Sequence, residues 1–236
     1  MKSTPFTILA AALALCTPHA NATDLKPGQT IGIDLGITKP LNHFNQWDPS
    51  NPDTPADGIL SSVQDTTGTT IAGIAVHFGG STVQSILTGT PQDIANTPDF
   101  DVSNIEDAVT GYNLTMTFTG LNPIQTFTLL LVSSYSGFNI GTEFVCATQT
   151  IVTDSTSTTG GTLARFENIT PDITGQISIA AFSLNSPNGS TWAGVNAAML
   201  KTQAIPEPSF PTLVLIGISA LSFAHRLRSA RPRTKN

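Results

Sequence analysis

Cysteine is almost absent from this 236-residue chain, which contains only Cys16 and Cys146. Cys16 lies in an apolar N-terminal stretch that we interpret as a removable leader, so the mature chain retains Cys146 alone. A single cysteine forms no internal disulfide, and no Cys-His pair has the spacing of a metal site. We expect Cys146 to be a small buried hydrophobic residue, with a reactive thiol as the alternative.

Positive charge is scarce between the two ends of the chain. Residues 23–205 contain four basic residues and 15 carboxylates, which gives a net charge of −11. Such a segment has no basic surface to replace the counterions of phosphates, so the sequence argues against nucleic acid as a partner. One of the four basic residues, Arg165, stands alone in a strand-like run, where we expect it to be solvated or ion-paired.

Helical periodicity is also nearly absent, whereas short apolar runs between turn residues are frequent. Leu114, Met116 and Phe118 alternate with threonines, as do the side chains of a strand with one buried face. The other predicted strands are residues 31–36, 59–64, 70–78, 82–87, 126–133, 143–150, 162–167, 175–182 and 192–200. One capping-box pattern, from Ser103 to Glu106, predicts a short helix near Val109.

About ten short strands in a chain of this length predict an all-β fold, a single β-sandwich or jelly-roll domain spanning residues 23–203. A domain of this size buries enough surface to fold without a disulfide or a metal. We expect a signal peptide on one side of it and a C-terminal transmembrane helix on the other.

The N-terminus has the pattern of a secretory signal peptide over residues 1–22. Lys2 provides a basic start, an apolar run follows over residues 6–15, and Ala20 and Ala22 form an A-x-A cleavage site. We predict that signal peptidase cuts after Ala22. Cys16 raises lipidation as an alternative, although Leu15 stands where lipid-modified cysteines follow a small residue.

The last 33 residues, 204–236, combine three features in a fixed order. A short motif (residues 205–209) contains Pro206, Glu207, Pro208 and Ser209, and an apolar segment (residues 210–225) follows it. The basic tail (residues 226–236) contains Arg226, Arg228, Arg231 and Arg233. The apolar run is shorter than the roughly 20 residues of an ordinary spanning helix, so snorkelling arginines or local thinning must help. The basic cluster is expected to stay in the cytoplasm.

This arrangement resembles the PEP-CTERM sorting signal. The resemblance implies that an exosortase, a membrane-embedded cysteine protease or transpeptidase, recognises the motif and processes the chain. It therefore implies an inner-membrane precursor with a cytoplasmic C-terminus and a mature form at the cell surface or outside the cell. A permanent membrane anchor without processing is the alternative. Two departures from the family pattern are Ile205, where Val is commoner, and His225 ahead of the arginines.

A second resemblance covers the middle of the chain. The blocks at residues 33–36, 117–123, 166–172 and 194–199 resemble a family of exported PEP-CTERM proteins with a galactose-binding-like jelly roll. The resemblance implies a fold and leaves the activity open.

The mature sequence shows no catalytic motif. His43 and His77 are the only histidines between the leader and the tail, and there is neither a G-x-S-x-G elbow nor an H-E-x-x-H helix. Two carboxylates could still meet in space, as in glycoside hydrolases. We predict no catalytic residues and no enzymatic activity.

Two kinds of binding site are considered from the residues. Asp48, Asp53 and Asp57 in the loop of residues 48–58 offer oxygen ligands for calcium, although their spacing fits no EF-hand and no other cofactor is expected. Trp47, Tyr135 and Trp192, with Phe138 nearby in sequence, offer aromatic faces for stacking on sugar rings. The alternative for each aromatic residue is a place in the core.

We therefore expect an exported structural or adhesive protein of the cell surface or extracellular matrix. A carbohydrate-binding module that contacts extracellular polysaccharide is the main alternative, and a secreted hydrolase is a weaker one.

Overall fold

The structure is a computed structural model. It describes residues 22–36, 43–49, 58–81, 84–87, 107–111, 113–133, 141–154, 163–184 and 193–203, all within one compact unit, Met1–Gln203. Every regular element in these ranges is a β-strand. The strands are β1 (Thr30–Leu35), β2 (Asn45–Trp47), β3 (Ile59–Leu60), β4 (Val63–Gln64), β5 (Thr70–Ile71), β6 (Ala75–Ser81), β7 (Gln84–Leu87), β8 (Asp107–Gly111), β9 (Asn113–Thr119), β10 (Phe127–Val132), β11 (Gly141–Cys146), β12 (Gln149–Asp154), β13 (Leu163–Ile169), β14 (Ile177–Ser183), β15 (Ala193–Val195) and β16 (Ala197–Thr202).

The described strands form two main sheets. A five-stranded sheet has the order β13-β10-β16-β1-β2, and a six-stranded sheet has the order β12-β11-β14-β9-β6-β3. From β9 to β14 the chain alternates between them, with β11 and β12 as the one hairpin that stays in the six-stranded sheet, and β16 returns to the five-stranded sheet. This order is that of a double-sheet jelly roll, so the predicted all-β class is confirmed. Two smaller sheets, β15-β8-β7 and β4-β5, complete the described strands.

The two sheets share one apolar core. In β9, Leu114, Met116 and Phe118 are buried while Asn113 and Thr115 are exposed, as the alternation in the sequence predicted. The largest fully buried side chains come from both sheets, Phe118 and Phe144 from one and Phe127 and Phe166 from the other. Burying a side chain of this size contributes about 1.5–3 kcal/mol, so these rings are a main source of stability.

The five-stranded sheet is buried on its second face as well. Leu130, Val132, Ala197 and Met199 form a smaller apolar cluster there, with Phe44 packed against it. The Phe44 ring lies so close to Gly32 that a Cβ atom at that position would come within 2.7 Å of it. All six residues of β10 are consequently buried, which explains its continuous apolar sequence.

Four of the predicted strands are interrupted in the structure, because residues that do not fit a ladder lie inside them. The run 70–78 breaks at Gly73 (φ 82°), and the run 143–150 is a hairpin that turns at Ala147 (φ 52°). Asn196 separates β15 from β16, since its backbone bonds to Leu35 and Val132 on two different strands. The run 59–64 likewise divides into β3 and β4.

The predicted helix is wrong in its described part. Residues Asp107–Gly111 form β8, which pairs with β7 and β15, so Val109 belongs to a strand. Ser103 and Glu106 lie outside the described residues. A strand was also missed, because none was predicted at β2, which pairs in parallel with β1. No helix among the described residues is long and apolar enough to cross a membrane.

One end of the sandwich, called here the short-turn end, consists of tight turns. These are residues 26–29, 65–69, 120–126, 147–148 and 170–176. The N-terminal segment is bound there: the Thr23 amide donates to the Gly120 carbonyl at 2.7 Å, and Leu25 is buried. The Gln125 side chain bonds both the amide and the carbonyl of Leu25. The fold therefore includes the chain from Thr23 onward.

Candidate functional site

The outer face of the six-stranded sheet presents several polar side chains among the described residues. Along β14, Ile177, Ile179 and Ala181 are buried, so the residues between them point outward. The outward residues Ser178, Ala180 and Phe182, with their β9 partners Thr117, Thr115 and Asn113, form what we call the outer strip. The strip thus places hydroxyl groups, a methyl group, an aromatic ring and an amide in line along one strand pair.

A groove of about 780 Å³ opens on the part of this strip that lies nearest the short-turn end. Its floor contains Thr115, Thr117 and Ser178, and the hydroxyl oxygens of Thr117 and Ser178 lie 3.1 Å apart. Its walls come from the β11–β12 turn at Ala147 and from the β13–β14 connection of residues 169–176. The groove has the volume of a small-molecule site.

The turn at Asp172 fixes one wall of the groove. Asp172 Oδ1 accepts hydrogen bonds from the Thr174 amide (2.8 Å), the Thr174 hydroxyl (2.6 Å) and the Gln176 amide (3.0 Å). The Thr174 hydroxyl and the Gln176 amide hold the pKa of the Asp172 carboxyl below its usual value. Asp172 is the one carboxylate among the described residues lining the groove. The Asp172 carboxylate therefore stabilises the turn that forms this wall.

Asp65 begins a second turn of the same design. Its Oδ1 accepts from the Thr67 amide (2.9 Å), the Thr67 hydroxyl (2.6 Å) and the Thr69 amide (3.0 Å). Gly68 follows with φ 84°, as Gly175 does with φ 78° in the first turn. The shared pattern Asp-x-Thr-Gly is visible in the sequence, but sequence reasoning missed it. It marks rigid turns and is not itself a ligand site.

Phe182 supplies the aromatic surface of the outer strip and is 38% exposed. It pairs across the sheet with Glu143 on β11 and Asn113 on β9. Directly paired side chains of this kind have Cβ atoms about 4.5–5.5 Å apart, so a carboxylate and an amide flank the ring. A ring with hydrogen-bonding groups beside it can stack on a sugar and hold its hydroxyls. Sequence reasoning missed Phe182 because no property of the residue itself separates it from the core phenylalanines.

Trp47, expected as a sugar-stacking residue, lies in the core. It is only 6% exposed, and its ring stacks on that of Phe78 with centroids 4.3 Å apart and planes 7° from parallel. A small, mainly apolar cavity of about 30 Å³ adjoins the pair. Burial corrects the expected role of Trp47. Tyr135, Phe138 and Trp192 lie outside the described residues, so their predicted role is still a prediction.

The expected calcium loop is described only in part. Asp48 is buried near the end of β2, whereas Asp53 and Asp57 lie outside the described residues. Within the described ranges, no three His, Cys, Asp or Glu side chains come together as metal ligands would. Calcium binding by this loop stays a prediction.

The remaining candidate residues are Cys146, Arg165, His77 and His43. Cys146 is buried, and burial raises the pKa of its thiol to about 12, which confirms the expected inert residue. Arg165 donates from Nε to Glu167 Oε1 at 2.8 Å in an exposed ion pair, also as expected. His77 is half-buried on β6 and pairs with Thr117 at the margin of the outer strip. His43 is exposed in a left-handed conformation (φ 64°) beside Gly68.

The sorting and processing residues fall outside the description. These are Ala20, Pro206, Glu207, Pro208, Ser209, Arg226, Arg228, Arg231 and Arg233. Ala22 is the first described residue and is half-buried.

Comparisons with known proteins give little guidance. No family model and no curated protein matches the chain. One similar solved structure is TmCBM61 in complex with beta-1,4-galactotriose, with 10% identity and a TM-score of 0.26 over 54% of this chain and 84% of that one. Another is the exo-beta-1,3-galactanase from Phanerochaete chrysosporium with galactose, with 14% identity and a TM-score of 0.23 over 60% of this chain and 33% of that one. Values this low assign neither a family nor a ligand.

Proposed function

We propose that this chain is an exported, non-enzymatic surface protein whose jelly roll adheres to neutral extracellular polysaccharide. The observation that carries the proposal is the outer strip with its groove. The leader of residues 1–22 and the tail of residues 204–236 direct the domain to the cell surface, where an extended polar ligand is available. Signal peptidase and an exosortase are the processing partners.

The chemistry of the strip favours a neutral polyhydroxylated ligand. The hydroxyls of Thr115, Thr117 and Ser178 donate and accept hydrogen bonds, and the aliphatic groups between them suit the apolar faces of sugar rings. The Asp172 carboxylate already accepts hydrogen bonds within its own turn, and the groove lining contains no Lys or Arg. An anionic ligand would therefore find no partner of opposite sign among these lining residues.

Adhesion fits the groove better than hydrolysis does. Glycoside hydrolysis ordinarily uses two carboxyl groups on either side of the scissile bond. The described lining of the groove offers Asp172 alone, and three hydrogen bonds hold its Oδ1. This described lining therefore does not supply the pair of carboxyl groups that glycoside hydrolysis ordinarily uses.

The test is affinity electrophoresis of the purified protein through gels containing neutral glucans, galactans or mannans. At least one polysaccharide should retard the protein. Phe182→Ala and Thr117→Val should each weaken that retardation about three- to tenfold, because each removes a stacking surface or a hydrogen bond of about 0.5–1.5 kcal/mol.

Thr70→Val is the matched control, since Thr70 is an exposed strand threonine on β5, away from the strip. It should bind as the unmodified protein does. Failure of every polysaccharide to retard the protein would refute the proposal, as would equal losses in Thr117→Val and Thr70→Val.

A further inference from the structure

Two isoleucines at the short-turn end are far more exposed than any other large hydrophobic side chain of the described residues. Ile124 and Ile173 are each 80% exposed, compared with 54% for Val152. Single exposed apolar residues are common on protein surfaces, but these two lie on neighbouring turns. The Leu121 amide donates to the Gly175 carbonyl at 3.0 Å, which joins the turn of residues 120–126 to the turn of residues 170–176.

Both isoleucines are fixed by the turns that hold them. Asn122 Oδ1 accepts from the Ile124 amide at 3.0 Å, and the Gln125 amide donates to the Asn122 carbonyl at 3.1 Å. Ile173 lies between Asp172 and Thr174, whose side chains bond each other at 2.6 Å. Neither side chain can therefore turn inward without breaking a hydrogen-bonded turn. Their exposure is a stable property of this end.

The chain leaves the domain beside Ile124. The Gln203 amide donates to the Thr126 carbonyl at 2.9 Å, and Gln203 Nε2 donates to Thr128 Oγ1 at 3.0 Å. Only residues 204–209 then separate Gln203 from the apolar segment of residues 210–225. Six extended residues span about 20 Å at most, so a bilayer that holds the apolar segment lies within that distance of the exit.

We infer that the short-turn end contacts the bilayer surface in the unprocessed chain, with Ile124 and Ile173 entering the interfacial layer. The partner is a lipid surface, and the contact is apolar: the nearby carboxylate of Asp172 is bonded within its own turn, and the side chains of Asp24 and Asn122 bond each other. Two isoleucines bind lipid weakly on their own, but the tail keeps them close to the membrane at high effective concentration.

This inference rests on the proposed membrane tail and is independent of polysaccharide binding. Its consequence concerns the position of the sorting motif. A domain resting on the bilayer by this end holds Pro206, Glu207 and Pro208 near the membrane surface, where a membrane-embedded protease acts. The same contact disappears when the tail is removed, because the effective concentration falls.

The test uses the chain from Thr23 to Asn236, which lacks the predicted leader and its Cys16, in vesicles of phosphatidylethanolamine and phosphatidylglycerol. An environment-sensitive fluorophore is attached at Ile124→Cys, at Ile173→Cys or at the control Val152→Cys, which lies on the outer face of the six-stranded sheet. Cys146 is buried and stays unlabelled. Lipids with nitroxide-labelled chains should quench fluorescence at positions 124 and 173 at least about twofold and leave position 152 unchanged, as expected for side chains in the interface.

Flotation of the same vesicles reports separately whether the tail holds the chain on the membrane. Flotation without quenching at positions 124 and 173 overturns the inference and leaves the proposed function intact. Equal quenching at all three positions also overturns it. If Ile124→Ser and Ile173→Ser instead weaken polysaccharide retardation while quenching is absent, the two isoleucines belong to the rim of the groove, and the inference is wrong.

Discussion

Asp65 and Asp172 show how one side chain can determine a local structure. In each aspartate, Oδ1 accepts three hydrogen bonds from residues within the same five-residue turn. Each turn also has a glycine with positive φ at its fourth position. Asp65 additionally accepts from Gln29 at 2.8 Å, which links its turn to the segment before β1. The two aspartates therefore stabilise two turns at the short-turn end of the sandwich.

The stability of the protein should fall in acid because of Asp65. Burial alone would raise the pKa of this carboxyl, but hydrogen bonds from Thr67, Gln29 and Thr69 outweigh it and lower the pKa to about 2. A carboxyl whose pKa is lower in the folded state stabilises the fold above its ordinary value near 3.8 and loses that contribution as pH falls towards 2. Urea unfolding at pH 7, 4 and 2.5 measures the loss.

Asp65→Asn is the informative variant, since it keeps an acceptor oxygen and removes the charge. It should lower the free energy of unfolding at pH 7 by about 1 kcal/mol, the difference between a charged and a neutral acceptor. It should also flatten the decline between pH 4 and pH 2.5. An unchanged acid decline in Asp65→Asn would assign the effect to other carboxylates.

The residue scale also shows what sequence reasoning cannot reach. The inert Cys146 and the ion-paired Arg165 were predicted because composition and the neighbouring residues decide such roles. Trp47 and Phe182 were not distinguished, because exposure of an aromatic ring depends on which sheet face it occupies. Trp47 stacks on Phe78, thirty-one positions away in the chain, and no local pattern encodes that contact.

At the scale of elements, the turns of the short-turn end constrain the strands that they connect. Gly28 and Gly120 both have left-handed conformations, with φ of 78° and 81°. A Cβ atom at Gly28 would have no neighbour within 4 Å, whereas one at Gly120 would clash with the Gly73 carbonyl oxygen. An alanine at Gly28 therefore tests backbone strain alone, whereas an alanine at Gly120 tests strain together with a steric clash.

Gly28→Ala should lower the free energy of unfolding by about 1–2 kcal/mol, the cost of a left-handed conformation for an L-residue. Gly120→Ala should lower it by about 3 kcal/mol or more, because strain and a backbone clash add. Thermal and urea unfolding of both variants check this order. Equal losses would mean that the β9–β10 turn relaxes away from Gly73.

Strand boundaries were predictable only where turn residues mark them. The alternation in β9 and the apolar run of β10 identified both strands, since period and burial agree there. The hairpin between β11 and β12 was missed because Ala147 occupies the left-handed position, and alanine carries no turn signal. Similarly, the parallel pairing of β2 with β1 is a tertiary contact, and a strand of three residues is too short to show a sequence pattern that predicts it.

At the scale of the whole molecule, the jelly roll follows from the number and length of the strands, whereas the proposed binding face does not. The outer strip is assembled from β9 and β14, and its residues resemble those of any half-exposed strand. Its position relative to the short-turn end matters, because the connection of residues 169–176 lines the groove and also contains Ile173, one of the two exposed isoleucines. A chain resting on lipid by this end would present its groove close to the membrane until processing releases it.

The tail should decide where the whole molecule resides. If residues 206–208 are a processing signal, the mature protein lacks residues 210–236 and leaves the membrane fraction. Each buried CH₂ contributes about 0.8 kcal/mol of membrane affinity, so neither the outer strip nor two isoleucines could offset an intact apolar segment. Glu207→Ala should therefore keep the precursor in the inner membrane, while Glu167→Ala, which removes an exposed carboxylate elsewhere, should be processed normally. Intact-mass measurement in the native host gives the result: an arginine-rich end still present on the unmodified protein would make residues 205–209 a linker and the protein a permanently anchored one.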